Sequence, residues 1–399
     1  MTSQPATLAT LVVAALLAIP FSSLAGQDVG PPLVVPTPSP TQVTVQVDSF
    51  MPSTGARRGF RVYRPAGSRE RLPVVVFANG TNADFNTWRG YADWARLVTS
   101  RGLAGVLYQG PTFDMQRSFP ENLRTSVADL DSVVAVLTRR GEALGVDANN
   151  LVIWAGSAQT FTGTSFALSG ARQGVRGYVL YYGGGIVEEP RVDVPLLIVR
   201  AGLDAPPLNR GLDSLAERLT RAGAPVTMVS HPSGPHGFDV YDSSDASARV
   251  IAATLDFMGA AVQLRYQAAI AAGVRAARAS AAFALGRWAD AERLYTDLHL
   301  TNPTNRIFAW RLGLAQLEAG HPAEALASFD RAKALGQGGA RDIGLPAARA
   351  ALRSGNTARA VEWIKWALTS FPRIRPEIAA DRELAGLLDH PDVRAGDNR

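Results

Sequence analysis

Residues 151–157 read Leu-Val-Ile-Trp-Ala-Gly-Ser. The apolar run has no polar alternation, which is the pattern of a short strand buried on both faces. It stops at two small residues and a serine, and 158–170 then carry helical spacing. A buried strand turning sharply into a helix lifts the corner side chain, Ser157, clear of the backbone. It also sets the next amide, that of Ala158, at a helix start, where an oxygen anion is stabilised by the amide and the helix dipole together.

Apolar runs of the same kind lie on either side, at 73–78, 103–108, 177–182, 195–199 and 225–229, with helix-period segments at 122–140, 158–170, 208–222 and 245–260. Alternation of buried strands with helices predicts a mainly parallel sheet covered on both faces, an α/β architecture. Before it, 41–47 alternates (TQVTVQV) and 60–63 reads as a partner, giving a half-exposed antiparallel pair at one edge. The α/β domain is expected to span 41–262.

From 263 to 395 the strands cease and alanine-rich helical periodicity repeats. Gly286, Gly320 and Gly355 are 34 and 35 residues apart. Each has alanine five before it (Ala281, Ala315, Ala350), three after (Ala289, Ala323, Ala358) and five after (Ala291, Ala325, Ala360), and a large apolar residue nine after (Tyr295, Phe329, Ile364). The unit predicted is helix–turn–helix, with the glycine ending the first helix and the alanines allowing close packing. It resembles two to three tetratricopeptide repeats, whose concave surface would take a protein partner or a second copy.

Residues 8–20 are apolar and are followed by Ser23-Leu24-Ala25, a small-x-small pattern, so 1–25 is expected to be a signal peptide, although no Lys or Arg precedes the apolar run. A retained anchor is the alternative. Residues 26–40, with Pro31, Pro32, Pro36, Pro38 and Pro40, are expected to form an extended linker. Export to the periplasm or medium follows from the leader, and no stable membrane span is expected after its removal. The chain has no cysteine, which excludes disulfides, thiol nucleophiles and thiolate metal sites. Net charge is +5 without a basic run, so nucleic acid is not an expected partner.

Two further loops complete a chemistry for Ser157. The strand at 195–199 runs into Ala201-Gly202-Leu203-Asp204, and that at 225–229 into His231 and then Gly234-Pro235-His236-Gly237-Phe238-Asp239. A serine hydroxyl is a weak nucleophile near neutrality; it needs an imidazole within reach, and the imidazole needs a carboxylate to hold its tautomer. Ser157, Asp204 and His236 fall just past strand ends, the edge at which open α/β sheets bind ligands. His231, which comes directly after its strand, is expected to be structural. Asp193 and Asp239 are the rival acids, but Asp193 precedes its strand, and Asp239 is expected to brace the loop or cap the segment after it. Ser165 also sits between small residues, without a strand before it. Trp154, Tyr181 and Tyr182 read as core or pocket wall. For an oxyanion hole, Ala158 would supply one amide, and Gly80 or Thr81, in the turn after the strand at 73–78, the other. No metal-ligand spacing or phosphate-cradling loop is present, so neither metal nor cofactor is expected.

The motifs AGSAQ at 155–159, AGLD at 201–204 and HPSGPHGFD at 231–239 resemble the α/β-hydrolase superfamily, most closely its dienelactone hydrolase-like and carboxylesterase-like branch. The resemblance covers about 45–260 and implies a Ser-His-Asp enzyme acting on a small-molecule ester or related acyl bond. Two departures stand out. Dienelactone hydrolases proper place cysteine where Ser157 stands. Gln159 replaces the usual glycine two positions on, where a bulky residue could narrow the elbow. Two alternatives stay open: a catalytically degenerate platform for repeat-based binding, and a serine peptidase of prolyl-oligopeptidase type.

Overall fold

The computed structural model describes residues 28–52, 55–79, 88–112, 114–170 and 172–394. The proposed signal peptide lies outside these residues, as do Gly80 and Thr81. The chain divides into two compact units, Met1–Ile270 and Ala271–Arg399.

The first unit is built on eight strands: β1 (Val43–Phe50), β2 (Arg58–Pro65), β3 (Leu72–Phe77), β4 (Ala104–Tyr108), β5 (Val146–Gly156), β6 (Val175–Tyr181), β7 (Leu196–Ala201) and β8 (Val226–His231). They form one sheet in the order β1-β2-β4-β3-β5-β6-β7-β8. Only the β1–β2 and β2–β4 pairings are antiparallel; from β4 to β8 every neighbour is parallel. Among the described residues five helices of nine or more residues serve the sheet: α1 (Arg89–Leu97), α2 (Phe119–Arg139), α3 (Thr160–Leu168), α4 (Pro206–Arg221) and α5 (Asp245–Ala261).

Strand periodicity divides the core. Val74, Val76 and Ala78 point to one face and pack with Leu130 and Val133 of α2, Phe166 of α3, and Leu212 and Leu215 of α4. Val75 and Phe77 point to the other, with Tyr91 and Trp94 of α1 and Ile251, Leu255 and Met258 of α5. These strands are buried on both faces, which is why they read as unbroken apolar runs. At the edge the expectation needs correction. β1 begins at Val43, because Pro40–Gln42 form a 3₁₀ turn. Residues 44–47 are all exposed rather than alternating, since this end of the edge strand is covered on neither face.

The first unit continues past the expected boundary at 262. In the helix α6 (Leu264–Ala284), the side-chain amide of Gln267 donates to the Ala261 and Arg176 carbonyls at 2.6 and 2.8 Å. The second unit is helical, with α7 (Trp288–Thr301), α8 (Arg306–Ala319), α9 (Pro322–Ala334), α10 (Leu345–Arg353) and α11 (Thr357–Ser370) as its main elements. Gly286, Gly320 and Gly355 have φ of 67°, 88° and 78°, the left-handed turn that glycine adopts without strain at a helix end. Ala291, Ala325 and Ala360 are fully buried, as are Phe329 and Ile364, with Tyr295 nearly so. Two alanine positions depart from the close-packing expectation. Ala289, Ala323 and Ala358 are exposed, and so is Ala281, where Ala279 and Ala282 are buried instead. Among the described residues no helix is long and apolar enough to cross a membrane.

Candidate active site

At the end of β5 the chain turns at Ser157, whose φ is 55°. This is the left-handed region, disfavoured for a side chain with a Cβ. The surroundings enforce the turn. Thr160, fully buried, donates its hydroxyl to the Ser157 carbonyl at 2.6 Å and accepts the Gly184 amide at 3.0 Å. A Cβ on Gly183 would stand 2.5 Å from the Ser157 carbonyl oxygen and 2.2 Å from the Thr160 hydroxyl. Gly183 is therefore packed directly against the elbow, where any side chain would collide. On α3, a Cβ on Gly163 would come within 2.7 Å of the Ala155 methyl, so helix and strand approach at van der Waals limits just below the corner.

Gln159 is accommodated. It is buried in the 3₁₀ turn Ser157–Gln159 that joins the elbow to α3, and the corner above it keeps its geometry. Ser165 lies along α3, away from the corner.

The structure brings Ser157, His236 and Asp204 together. Ser157 Oγ and His236 Nε2 are 2.8 Å apart, and His236 Nδ1 is 2.7 Å from Asp204 Oδ2. The Asp204 side chain is 5% exposed and that of His236 30%, so the acid is shielded while the imidazole reaches solvent. Two loops hold this register. β7 and β8 pair as far as Ala201 and His231, after which Gly202 N–H donates to the His231 carbonyl at 2.8 Å and Leu203 N–H to the Gly234 carbonyl at 3.0 Å. The ladder thus runs on past the strands into the loops carrying Asp204 and His236. A Cβ on Gly202 would lie 2.0 Å from the Pro232 carbonyl oxygen, so only glycine fits this crossing. Asn209 at the start of α4 donates to the Ala201 carbonyl at 2.9 Å, tying the acid loop to the helix.

The rivals occupy other posts. Asp193 pairs with Arg191 at 2.8 Å, ahead of β7 and at the opposite sheet end. Asp239 is buried and accepts from Trp94 Nε1 at 2.8 Å and from the Tyr182 hydroxyl at 2.7 Å; burial pushes its carboxyl pKa up. His231 is buried, with Nε2 at 3.0 Å from both Asp242 and Ser247. Hydrogen bonds from Ser244 and Ser247 hold the Asp242 carboxyl below its usual range. Ala158 lies in the first turn after Ser157.

Tyr182 is more than core or pocket wall. It has φ 34° and, with Ser157, is one of two non-glycine residues with positive φ among the described residues. Such a conformation costs on the order of 1–3 kcal/mol. The turn re-aims the side chain: Tyr181 and Tyr182, consecutive residues, both pack on the α1/α5 face of the sheet. The Tyr182 ring centroid is 4.7 Å from that of His236, tilted by 58°. No sequence signal marks it, because the reversal lies in the backbone.

An eight-stranded sheet of this order, with serine after β5, aspartate after β7 and histidine after β8, defines the first unit as an α/β-hydrolase. Residues 161–262 match the model of the dienelactone hydrolase family, a span that includes Asp204 and His236 and begins just beyond Ser157. The chain is thus a hydrolase resembling that family. No curated protein matches it. Among solved structures it is similar to the esterase Est22 (16% identity, TM-score 0.44, covering 54% of this chain and 80% of that one). Others are a bacterial heroin esterase (15%, 0.46, 65% and 90%) and a hyperthermophilic esterase from the archaeon Pyrobaculum calidifontis (18%, 0.44, 54% and 83%). Among the described residues no cluster of three or more His, Asp or Glu could hold a metal ion.

Proposed function

We propose that this chain is an exported serine hydrolase that cleaves a carboxylic ester or related acyl bond of a small molecule through Ser157, His236 and Asp204. The hydrogen-bonded chain from Ser157 Oγ through both nitrogens of His236 to Asp204 carries the reading. Ser157 attacks the acyl carbonyl while His236 Nε2 takes its proton, and Asp204 fixes the Nδ1–H tautomer and balances the imidazolium. The tetrahedral oxyanion is held by the Ala158 amide in the first turn after Ser157. Collapse passes the proton from His236 to the leaving alcohol, and water then releases the acid from Ser157 by the same route.

Gln159 is the residue that favours a degenerate platform, and its accommodation beneath a hydrogen-bonded Ser157–His236 pair supports the enzymatic reading. Export rests on the apolar leader and small-x-small pattern of residues 8–25. The 34- and 35-residue glycine period, with each glycine ending a helix at positive φ, supports tetratricopeptide-like repeats that offer a surface to a protein partner.

The test is covalent. Protein beginning at residue 26 is treated with a fluorophosphonate and its intact mass measured beside Ser157→Ala. One adduct on the parent and none on the variant is expected. An adduct that persists in the variant, or none on folded parent protein, would remove Ser157 as nucleophile.

A further inference from the structure

The His236 imidazole has neighbours on four separate segments of the chain. His236 faces Ser157 from the β5 elbow, Asp204 from the loop after β7, Tyr182 from the end of β6, and Asp239 from its own loop. Asp239 is faced in turn by Trp94 and Tyr91 of α1 and by Tyr181 and Tyr182 of β6. Asp204 already satisfies Nδ1, and Ser157 occupies Nε2. The Tyr182 ring packs against that of His236, with centroids 4.7 Å apart and planes tilted by 58°.

Three independent features place the Tyr182 ring there. Its backbone is strained at φ 34°, which turns a side chain due for one sheet face onto the other. Its hydroxyl is anchored on buried Asp239 at 2.7 Å, and Trp94 Nε1 holds that carboxylate from the far side at 2.8 Å. Phe238 packs edge-to-face against it at 5.8 Å. Local strain persists only where surrounding contacts over-determine it. Here those contacts are directed at one buried ring packed beside the imidazole.

We propose that Tyr182 is a positioning residue for His236: its ring face, anchored through Asp239, holds the imidazole and favours its protonated form by a cation–π contact. This rests on the triad reading given above. The ring's electron-rich face attracts the imidazolium and is nearly indifferent to neutral imidazole. The attraction therefore grows as the Ser157 proton moves onto His236, and an interaction stronger in the transition state than in the ground state raises the rate and not only the affinity. Hydrogen bonding of the phenol to a carboxylate increases electron density in the ring, so Asp239 strengthens the same attraction.

The signature is a pair of opposite movements. A stabiliser of the imidazolium raises the pH at which His236 loses its proton, and the base must be neutral to act. Removing the ring should move the acid limb of the rate profile to lower pH while lowering its plateau. Loosening that leaves Asp204 on Nδ1 lowers the plateau and leaves the limb in place.

The full chain is assayed for the second-order rate of fluorophosphonate labelling against pH, and for kcat and KM on p-nitrophenyl acetate, in the parent, Tyr182→Leu, Tyr182→Phe and Asp239→Asn. For Tyr182→Leu the plateau is expected to fall about ten-fold or more, in kcat rather than KM. Its acid limb is expected about half a pH unit lower. Tyr182→Phe, which keeps the ring, should recover most of both. Asp239→Asn keeps the shape and an acceptor for the phenol; because Asp239 also acts on His236 through its charge, the same change is made in the Tyr182→Phe background, and a larger shift of the limb with the phenol present than without it carries the test if the leucine variant does not fold. Normal labelling of Ser157 with an unmoved limb in the leucine variant and an equal shift from Asp239→Asn with and without the phenol overturns the assignment and leaves the triad reading standing. Failure of the folded parent to label at Ser157 overturns both.

Discussion

At the scale of single residues, the site is a set of enforced exceptions. Ser157 and Tyr182 adopt backbone conformations that free chains avoid, and each is held by a buried polar partner: the Thr160 hydroxyl for one, the Asp239 carboxylate for the other. Asp239 has a cost that can be measured. Its carboxyl pKa is raised by burial, so the folded chain binds that proton more tightly than the unfolded one. Below the unfolded value both states are protonated and nothing is lost. As pH rises toward the folded value the unfolded state ionises first, and stability falls across that window. Asp239→Asn removes the titration. The stability of the variant relative to the parent should therefore climb with pH above about 4 and then level, by about 1.4 kcal/mol for each pH unit between the unfolded and folded pKa values. Asp242, whose carboxyl is held low by Ser244 and Ser247, works in the opposite sense, losing stability on acidification, but it is present in both proteins and cancels. Urea unfolding of the pair across this range checks the claim, and a difference independent of pH would contradict it.

At the scale of elements, geometry comes from strand ends that continue as loops. Asp204 and His236 meet because β7 and β8 stay in register beyond Ala201 and His231, through the Gly202 and Leu203 amides. The placing of the three residues was legible in the sequence, since buried strands in a parallel sheet read as apolar runs and ligands collect beyond their C-terminal ends. What fixes them was not. Gly202, Gly183 and Gly163 look like ordinary loop or helix glycines until neighbouring atoms are seen at 2.0, 2.5 and 2.7 Å from where a Cβ would sit. The exposed half of β1 departs from its sequence pattern for a related reason: alternation in sequence reports a covered face only where something covers it. Gly202→Ala makes the point testable. Its methyl would push against the Pro232 carbonyl and part the two loops. A displacement approaching 1 Å between Asp204 and His236 is expected to slow fluorophosphonate labelling by on the order of a hundred-fold. A melting temperature lowered by several degrees should accompany it. A variant that labels at the parent's rate would show that the loops do not set the register.

At the scale of the whole molecule, the first unit builds its apolar clusters on the two faces of its sheet, and the second builds its own around Phe329, Trp363 and Ile364 and around Ala291 and Tyr295. Each of these clusters draws its residues from one unit. The glycine period made the repeating unit legible, because a left-handed helix end admits glycine and little else without strain. The exposed alanines three residues on show that part of the repeat pattern is composition rather than packing. The end of the first unit was harder to read, because α6 runs unbroken through Ile270 and helical periodicity carries no mark where one core stops. Gln267 supplies the mark: its amide closes the Ala261 carbonyl at the end of α5 and the Arg176 carbonyl at the start of β6. A chain truncated after Ile270 keeps that clasp, all eight strands and Ser157, His236 and Asp204. It is expected to fold and to label at Ser157 within about two-fold of the full chain, since the groups that shape the barrier all remain. A chain truncated after Val262 keeps the same three residues but loses the clasp, and should unfold at lower urea. Labelling that required residues beyond 270 would move part of the site into the helical unit and contradict the separation of the two cores.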